Sequence, residues 1–135
     1  KYGNFNKLLG FKLDANLQIT APNILDRTIP EQPELVASKE DLIRGEQLYN
    51  LSCGPCHGGN AKSAGVLPDL RMMSTETHQI FKNIVVDGIY AGKGMAGFGD
   101  ILNEKDTEMI RQYVISRALI DKAEAEALEA SAGGG

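Results

Sequence analysis

The sequence has no tryptophan, and only four phenylalanines and four tyrosines in 135 residues. A chain so poor in aromatics must build its core from aliphatic side chains, or complete it with something that is not a side chain. Cysteine is scarce too. The only two, Cys53 and Cys56, stand in one short stretch, which excludes a disulfide framework and leaves no second thiol pair to complete a zinc site. Positive charge is in deficit, with a net charge of -4 and an isoelectric point of about 5.2. Nucleic acid is thereby excluded as a partner, because its phosphates call for a basic face. No apolar run approaches the length of a membrane span. Lys1 is not followed by the basic start, apolar stretch and small-residue cleavage site of an export signal, so the chain reads as a mature or excised segment.

What is present reads as one soluble domain, 42% hydrophobic and 24% charged. In residues 1–20, Leu8 to Leu13 and Leu17 to Thr20 flank turn chemistry at Asp14-Ala15-Asn16 and read as extended. A lone hairpin is marginal in water, so this piece calls for a larger sheet. Residues 21–37, with Pro22, Pro30 and Pro33, read as a linker or an arm lying over a surface. Helical spacing then takes over. Ser38 caps a first helix whose stripe is Leu42, Gly45, Tyr49 and Cys53, and Gly58-Gly59-Asn60 breaks it. Residues 60–73 form a loop around Leu67-Pro68-Asp69-Leu70. Ser74 or Thr75 opens a second helix with Ile80, Phe81, Ile84 and Val85 as its apolar face, ending at Asp87-Gly88. Residues 89–102 hold four glycines and form no regular element of any length. Asn103 caps a third helix with Met109, Ile110, Tyr113, Val114 and Arg117 on one face; from Asp121 an acidic helical extension frays into the terminal glycines. The expected fold class is all-α.

Cys53-Gly54-Pro55-Cys56-His57 carries two chemistries at once. The first four residues match a thioredoxin-like dithiol, but such a site starts a helix after a buried strand, where the helix N-terminus acidifies the thiol. Here a helix precedes the motif, breakers follow it, and no strand–helix–strand pattern surrounds it. With His57, the five residues match a c-type haem attachment site. Two thiols separated by two residues add to the vinyl groups of one porphyrin edge, and the next histidine turns onto the iron. Cys53 and Cys56 are thus the expected thioether anchors and His57 the proximal ligand of one covalent haem c. A methionine on the opposite face would give electron transfer rather than oxygen chemistry. Met109 lies on a core face, where methionine usually packs. Met72 and Met73 adjoin the loop after Leu70, and either serves in a different chain path. Met95, within Gly92-Lys93-Gly94-Met95-Ala96-Gly97, is the favoured ligand because glycine-flanked backbone can carry sulfur to the iron. The Pro68 carbonyl is the expected acceptor for the His57 ring N–H. Arg71 can pair with a haem propionate, although an exposed, solvated arginine is its default reading. His78, in the middle helix, reads as a surface or structural residue, and Gly45 with Tyr113 as a close helix crossing with Tyr49 beside it.

Several ordered stretches carry a family resemblance: Ser52 to Gly58, Gly65 to Arg71, Ile84 to Gly88, Gly94 to Leu102 and Ile110 to Ile115. Together, over about residues 40–120, they resemble the C-terminal class I cytochrome c domain of quinohaemoprotein alcohol dehydrogenases, the bacterial periplasmic enzymes that use pyrroloquinoline quinone (PQQ). Leu8 to Asp14 is similar to the closing strand of that family's β-propeller. The resemblance implies a class I cytochrome c fold, with three main helices around the haem and an extended N-terminal arm. It divides the chain into a propeller remnant (1–20), a linker (21–37), the cytochrome domain (38–120) and an acidic tail (121–135) that runs past the family's usual end. It also implies that electrons from reduced PQQ reach this haem and leave for a small redox protein or a membrane oxidase chain. PQQ and its calcium or lanthanide would belong to a propeller absent here, so no alcohol oxidation is expected of these residues. Other readings are a stand-alone cytochrome or separate subunit, a haem sensor or peroxidase with an open sixth position, and the thiol oxidoreductase disfavoured above. Haem attachment normally takes place outside the cytoplasm, so a periplasmic location is expected.

Overall fold

A computed structural model describes residues 28–63, 65 and 67–133. The strand reading of residues 1–20 and most of the linker lie outside these described residues. The rest is helical, with no strand among the described residues, in keeping with a class I cytochrome c fold. The elements are α1 (Lys39–Ser52), α2 (Gly54–His57), α3 (Thr75–Gln79), α4 (Phe81–Val85) and α5 (Glu104–Ala132), with single 3-10 turns at Gly59–Ala61, Leu70–Met72 and Ala91–Lys93.

Caps set where the helices begin. The Ser38 hydroxyl accepts from the Asp41 N–H, and Glu40 and Asp41 place negative charge at the positive end of α1. Asn103 does the same for α5 through the Asp106 N–H, and Ser74 for α3 through the Thr77 N–H. The frame is the crossing of α1 over α5 at Gly45, where a Cβ would collide with the Met109 carbonyl oxygen and lie 3.1 Å from Tyr113 Cβ. The rings of Tyr49 and Tyr113 meet beside this crossing, 5.2 Å apart and tilted by 48°. Around them the core gathers Leu48, Cys53, Ala61, Met73, Phe81, Val85, Leu102, Met109, Ile110 and Val114. It is aliphatic with few rings, as the composition demands.

Two expectations need correction. The second helix is not continuous: it breaks at Ile80 (φ -101°, ψ 13°) into α3 and α4. The stripe that turns inward is His78, Phe81, Ile84 and Val85, so Ile80 lies off it and is 37% exposed. Arg71 is not a solvated surface residue. It is only 6% exposed, and its guanidinium bonds Asp69 and Asp121, each at 2.6 Å. The side chains that neutralise it lie 2 and 50 residues away, and the distant one leaves no local signature.

The arm is pinned across the body. Gln32 Nε2 donates to the Arg71 carbonyl at 3.4 Å and its Oε1 meets His78 Nε2 at 3.2 Å. The Val36 N–H donates to Gln112 Oε1 at 3.1 Å, and Glu31 pairs with Lys122 at 2.9 Å. Asp121 and Lys122 therefore still touch the body, and only the last turns of α5 are free of it. No helix among the described residues is long and apolar enough to cross a membrane.

Candidate haem attachment site

Cys53 closes α1 and at the same time caps α2, with Pro55 in the first turn of α2. The Cys53 N–H bonds the Tyr49 carbonyl at 2.8 Å, and the His57 N–H bonds the Cys53 carbonyl at 2.8 Å. One helical turn thus separates the two thiols. Gly58 then leaves the helix at φ 80°, where a Cβ would collide with the Lys62 carbonyl oxygen. This is the reversal the glycines after the motif announce.

His57 is buried, and its Nδ1–H donates to the Pro68 carbonyl at 2.9 Å, the contact the sequence leads one to expect. Among the described residues no hydrogen bond is recorded at Nε2. An imidazole held by one nitrogen with the other left as a lone pair is the donor an iron ligand requires. The cysteines differ. Cys56 is exposed, whereas Cys53 is buried in the core, where burial, then the neighbouring Cys56, push its thiol up to about 11. A dithiol built for exchange needs an acidic, accessible first thiol, so this environment opposes the thioredoxin-like reading. Two unbridged thiols one turn apart, followed by a histidine with a free ring nitrogen, fit covalent haem c.

Of the methionines, Met73 and Met109 are buried in the core. Met72 is half-buried and lines a shallow depression with Ser63, Gly65, Leu67 and Asp69. Met95 is half-buried in the loop after α4. Gly94 enters the left-handed region at φ 90° just before it, and the Met95 N–H bonds the Tyr90 carbonyl at 3.2 Å. The loop closes on a narrow neck. The Phe98 N–H bonds the Val85 carbonyl at 2.7 Å, and Gly88 and Gly97 cross so closely that a Cβ on Gly97 would lie 3.1 Å from the Gly88 Cα. A Cβ on Gly99 would lie 2.7 Å from the Val86 carbonyl oxygen. Met95 therefore rides on a closed loop carried by α4.

His78 is structural. It is 3% exposed, and its Nδ1 is buried without a partner. Burial, then nearby Arg111, hold its imidazole down to about 4, against a smaller opposing pull from Glu108. It borders a groove of about 550 Å³ with Pro33, Phe81, Lys82 and Arg111, and this groove contains no residue of the CxxCH motif. Sequence reasoning placed Tyr49 among packing residues and missed its hydroxyl, which donates to the Gly58 carbonyl at 2.7 Å. Its spacing of four from Cys53 marks the face it lies on but not what its oxygen reaches.

Comparison with known proteins gives the family. Residues 40–114 match the family model for cytochrome c oxidase, cbb3-type, subunit III. The chain is 37% identical over 119 residues to quinohaemoprotein alcohol dehydrogenase ADH IIB of Pseudomonas putida, a match covering 87% of this chain and 17% of that protein. It is 34% identical to the dehydrogenase subunit of the quinone-type alcohol dehydrogenase of Acetobacter aceti, over 85% of this chain and 16% of that one. Cytochrome c550 of Pseudomonas aeruginosa is 36% identical over 58% of this chain and 59% of its own length. The solved structure of quinohaemoprotein alcohol dehydrogenase ADHIIG of Pseudomonas putida superposes with a TM-score of 0.64 at 38% identity, covering 77% of this chain and 15% of that one. The chain thus spans about a sixth of the length of these dehydrogenases. A covalent haem c and electron transfer come with the match, and the chain belongs to the cytochrome c family, as a cytochrome c domain of the quinohaemoprotein alcohol dehydrogenase type.

Proposed function

We propose that Cys53 and Cys56 would hold a haem through thioethers, with His57 and Met95 as the iron ligands, and that the domain relays electrons from a PQQ-dependent alcohol dehydrogenase domain to an external acceptor. When bound, the haem supplies one-electron cycling between ferrous and ferric iron. The protein holds the ligands. Pro68 fixes the His57 tautomer, and the glycine neck at 88 and 97 sets the position of the Met95 loop. The observation that carries the reading is the 2.9 Å bond from His57 Nδ1–H to the Pro68 carbonyl, which directs the lone pair to Nε2. Arg71 contributes through Asp69 and Asp121, whose carboxylates accept from its guanidinium and tie the segment after Pro68 to α5. The acceptor is a small redox protein or a membrane oxidase chain, and the location is the bacterial periplasm. PQQ and its calcium or lanthanide belong to the dehydrogenase portion of the larger relatives.

The test is a near-infrared spectrum of the ferric holoprotein, where methionine ligation gives a weak sulfur-to-iron band. Met95→Ala abolishes the band, while Met72→Ala and Met73→Ala keep it; a band that survives in Met95→Ala overturns the assignment. A second reading, a small separate cytochrome, draws on the likeness to cytochrome c550 over comparable shares of both chains. A reading frame continuing upstream into a propeller decides against it.

A further inference from the structure

Tyr49 brackets the haem motif at both ends. Its carbonyl receives the Cys53 N–H at 2.8 Å, and its hydroxyl donates to the Gly58 carbonyl at 2.7 Å, immediately beyond His57. The side chain is fully buried and braced by the Tyr113 ring. The chain it grips is strained. After Gly58 at φ 80°, two residues that are not glycine, Asn60 and Ala61, stand in the left-handed region at φ 56° and 59°. Non-glycine residues in this region are strained and persist only where their surroundings hold them. The surroundings here are the Tyr49 hydroxyl on the Gly58 carbonyl, a longer bond from the Tyr113 hydroxyl to Asn60 Oδ1 at 3.5 Å, and the burial of Ala61 in the core. Packing alone does not explain the hydroxyl, since a phenylalanine would fill the same volume beside Tyr113.

We infer that Tyr49 is a positioning residue for the proximal ligand: through the Gly58 carbonyl its hydroxyl locks the turn that fixes the backbone of His57, as Pro68 fixes the ring. The inference rests on His57 ligating the iron. Deleting the hydroxyl leaves the Gly58 carbonyl without its donor and the left-handed pair without its clamp. The His57 backbone then relaxes, and the imidazole changes its orientation over the iron. Ligand orientation sets the ferric g-values and contributes to the reduction potential.

The experiment compares holoprotein carrying wild-type sequence, Tyr49→Phe and Tyr113→Phe by ferric electron paramagnetic resonance and redox titration. Tyr113→Phe is the control, because its hydroxyl touches the same turn only through the Asn60 side chain, at 3.5 Å, and holds none of the turn's backbone. The expected result is covalent haem and helical content retained in all three. Tyr49→Phe alone shifts the g-values and changes the ferric-to-ferrous ratio at fixed ambient potential several-fold, a tenfold change corresponding to about 59 mV for one electron. Unchanged g-values and potential in Tyr49→Phe, or the same change in Tyr113→Phe, overturn the inference. Wild-type spectra lacking low-spin imidazole-ligated iron would instead overturn His57 ligation itself. Should Tyr49→Phe yield no holoprotein, Tyr49→Phe combined with Asn60→Gly, which relieves the left-handed strain, takes its place: g-values shifted from those of Asn60→Gly alone support the clamp and unshifted ones overturn it.

Discussion

The His57 side and the Met95 side of this molecule are built by different means. On the first, side chains and a helical turn do the holding: Tyr49 holds Gly58, the turn holds Cys53 to His57, and Pro68 holds the ring, with Tyr113 and Asp121 bracing from α5. On the second, the sulfur rides on a loop shaped by a glycine crossing and by backbone bonds, among them Phe98 to Val85 and Met95 to Tyr90. The comparison teaches that a histidine carried by a short motif inherits its geometry from local spacing. A methionine carried by a loop depends on how closely two backbones can approach.

Breaking the crossing that both sides share has the largest expected effect. Gly45→Ala drives a methyl into the Met109 carbonyl, and forced overpacking of this kind costs about 3 kcal/mol. A fall in the urea midpoint at unchanged slope measures it, and loss of both axial signatures together shows that the frame has gone.

Acid tests the Met95 side next. His78 sits on α3, which leads into the α4 that carries the loop, and its imidazole is held at about 4 against an ordinary 6.5. The unfolded chain therefore takes up the proton first, so this contribution to stability is complete above about pH 6.5 and is lost as pH falls toward 4. From pH 7 to 4.5 the loss is about 2 kcal/mol. The groups that face His78 are Arg111, Glu108 and Gln32, and His78→Gln flattens the dependence. Urea midpoints at the two pH values measure it, and an equally steep fall in the variant removes His78 as its source.

The smallest effect sharpens the contrast most. Gly99→Ala places a Cβ against the Val86 carbonyl at the neck and costs about 1 kcal/mol. It weakens the near-infrared methionine band while leaving the imidazole signature intact. If both signatures change together, the two sides are not independent.

Legibility in the sequence follows the same division. The caps at Ser38 and Asn103, the glycine under the α1–α5 crossing and the histidine–Pro68 contact all lie in local spacing, and the structure has them. The break at Ile80 was hidden because His78, a polar residue, takes the inward position that apolar counting gave to isoleucine. Arg71 looked solvated because Asp121 is 50 residues away. The Tyr49 hydroxyl was invisible for another reason: periodicity assigns a tyrosine to a face but says nothing of what its oxygen reaches.

The pinned arm has a mechanical consequence. A pull applied at residue 28 travels through Gln32 into the Arg71 carbonyl and His78, and through Val36 into Gln112, before it reaches Ser38 and the start of α1. The load thus reaches α5, α3 and the Leu70–Met72 turn before it reaches the helix that carries the cysteines, and the strap spreads a pull over the body instead of delivering it whole to α1.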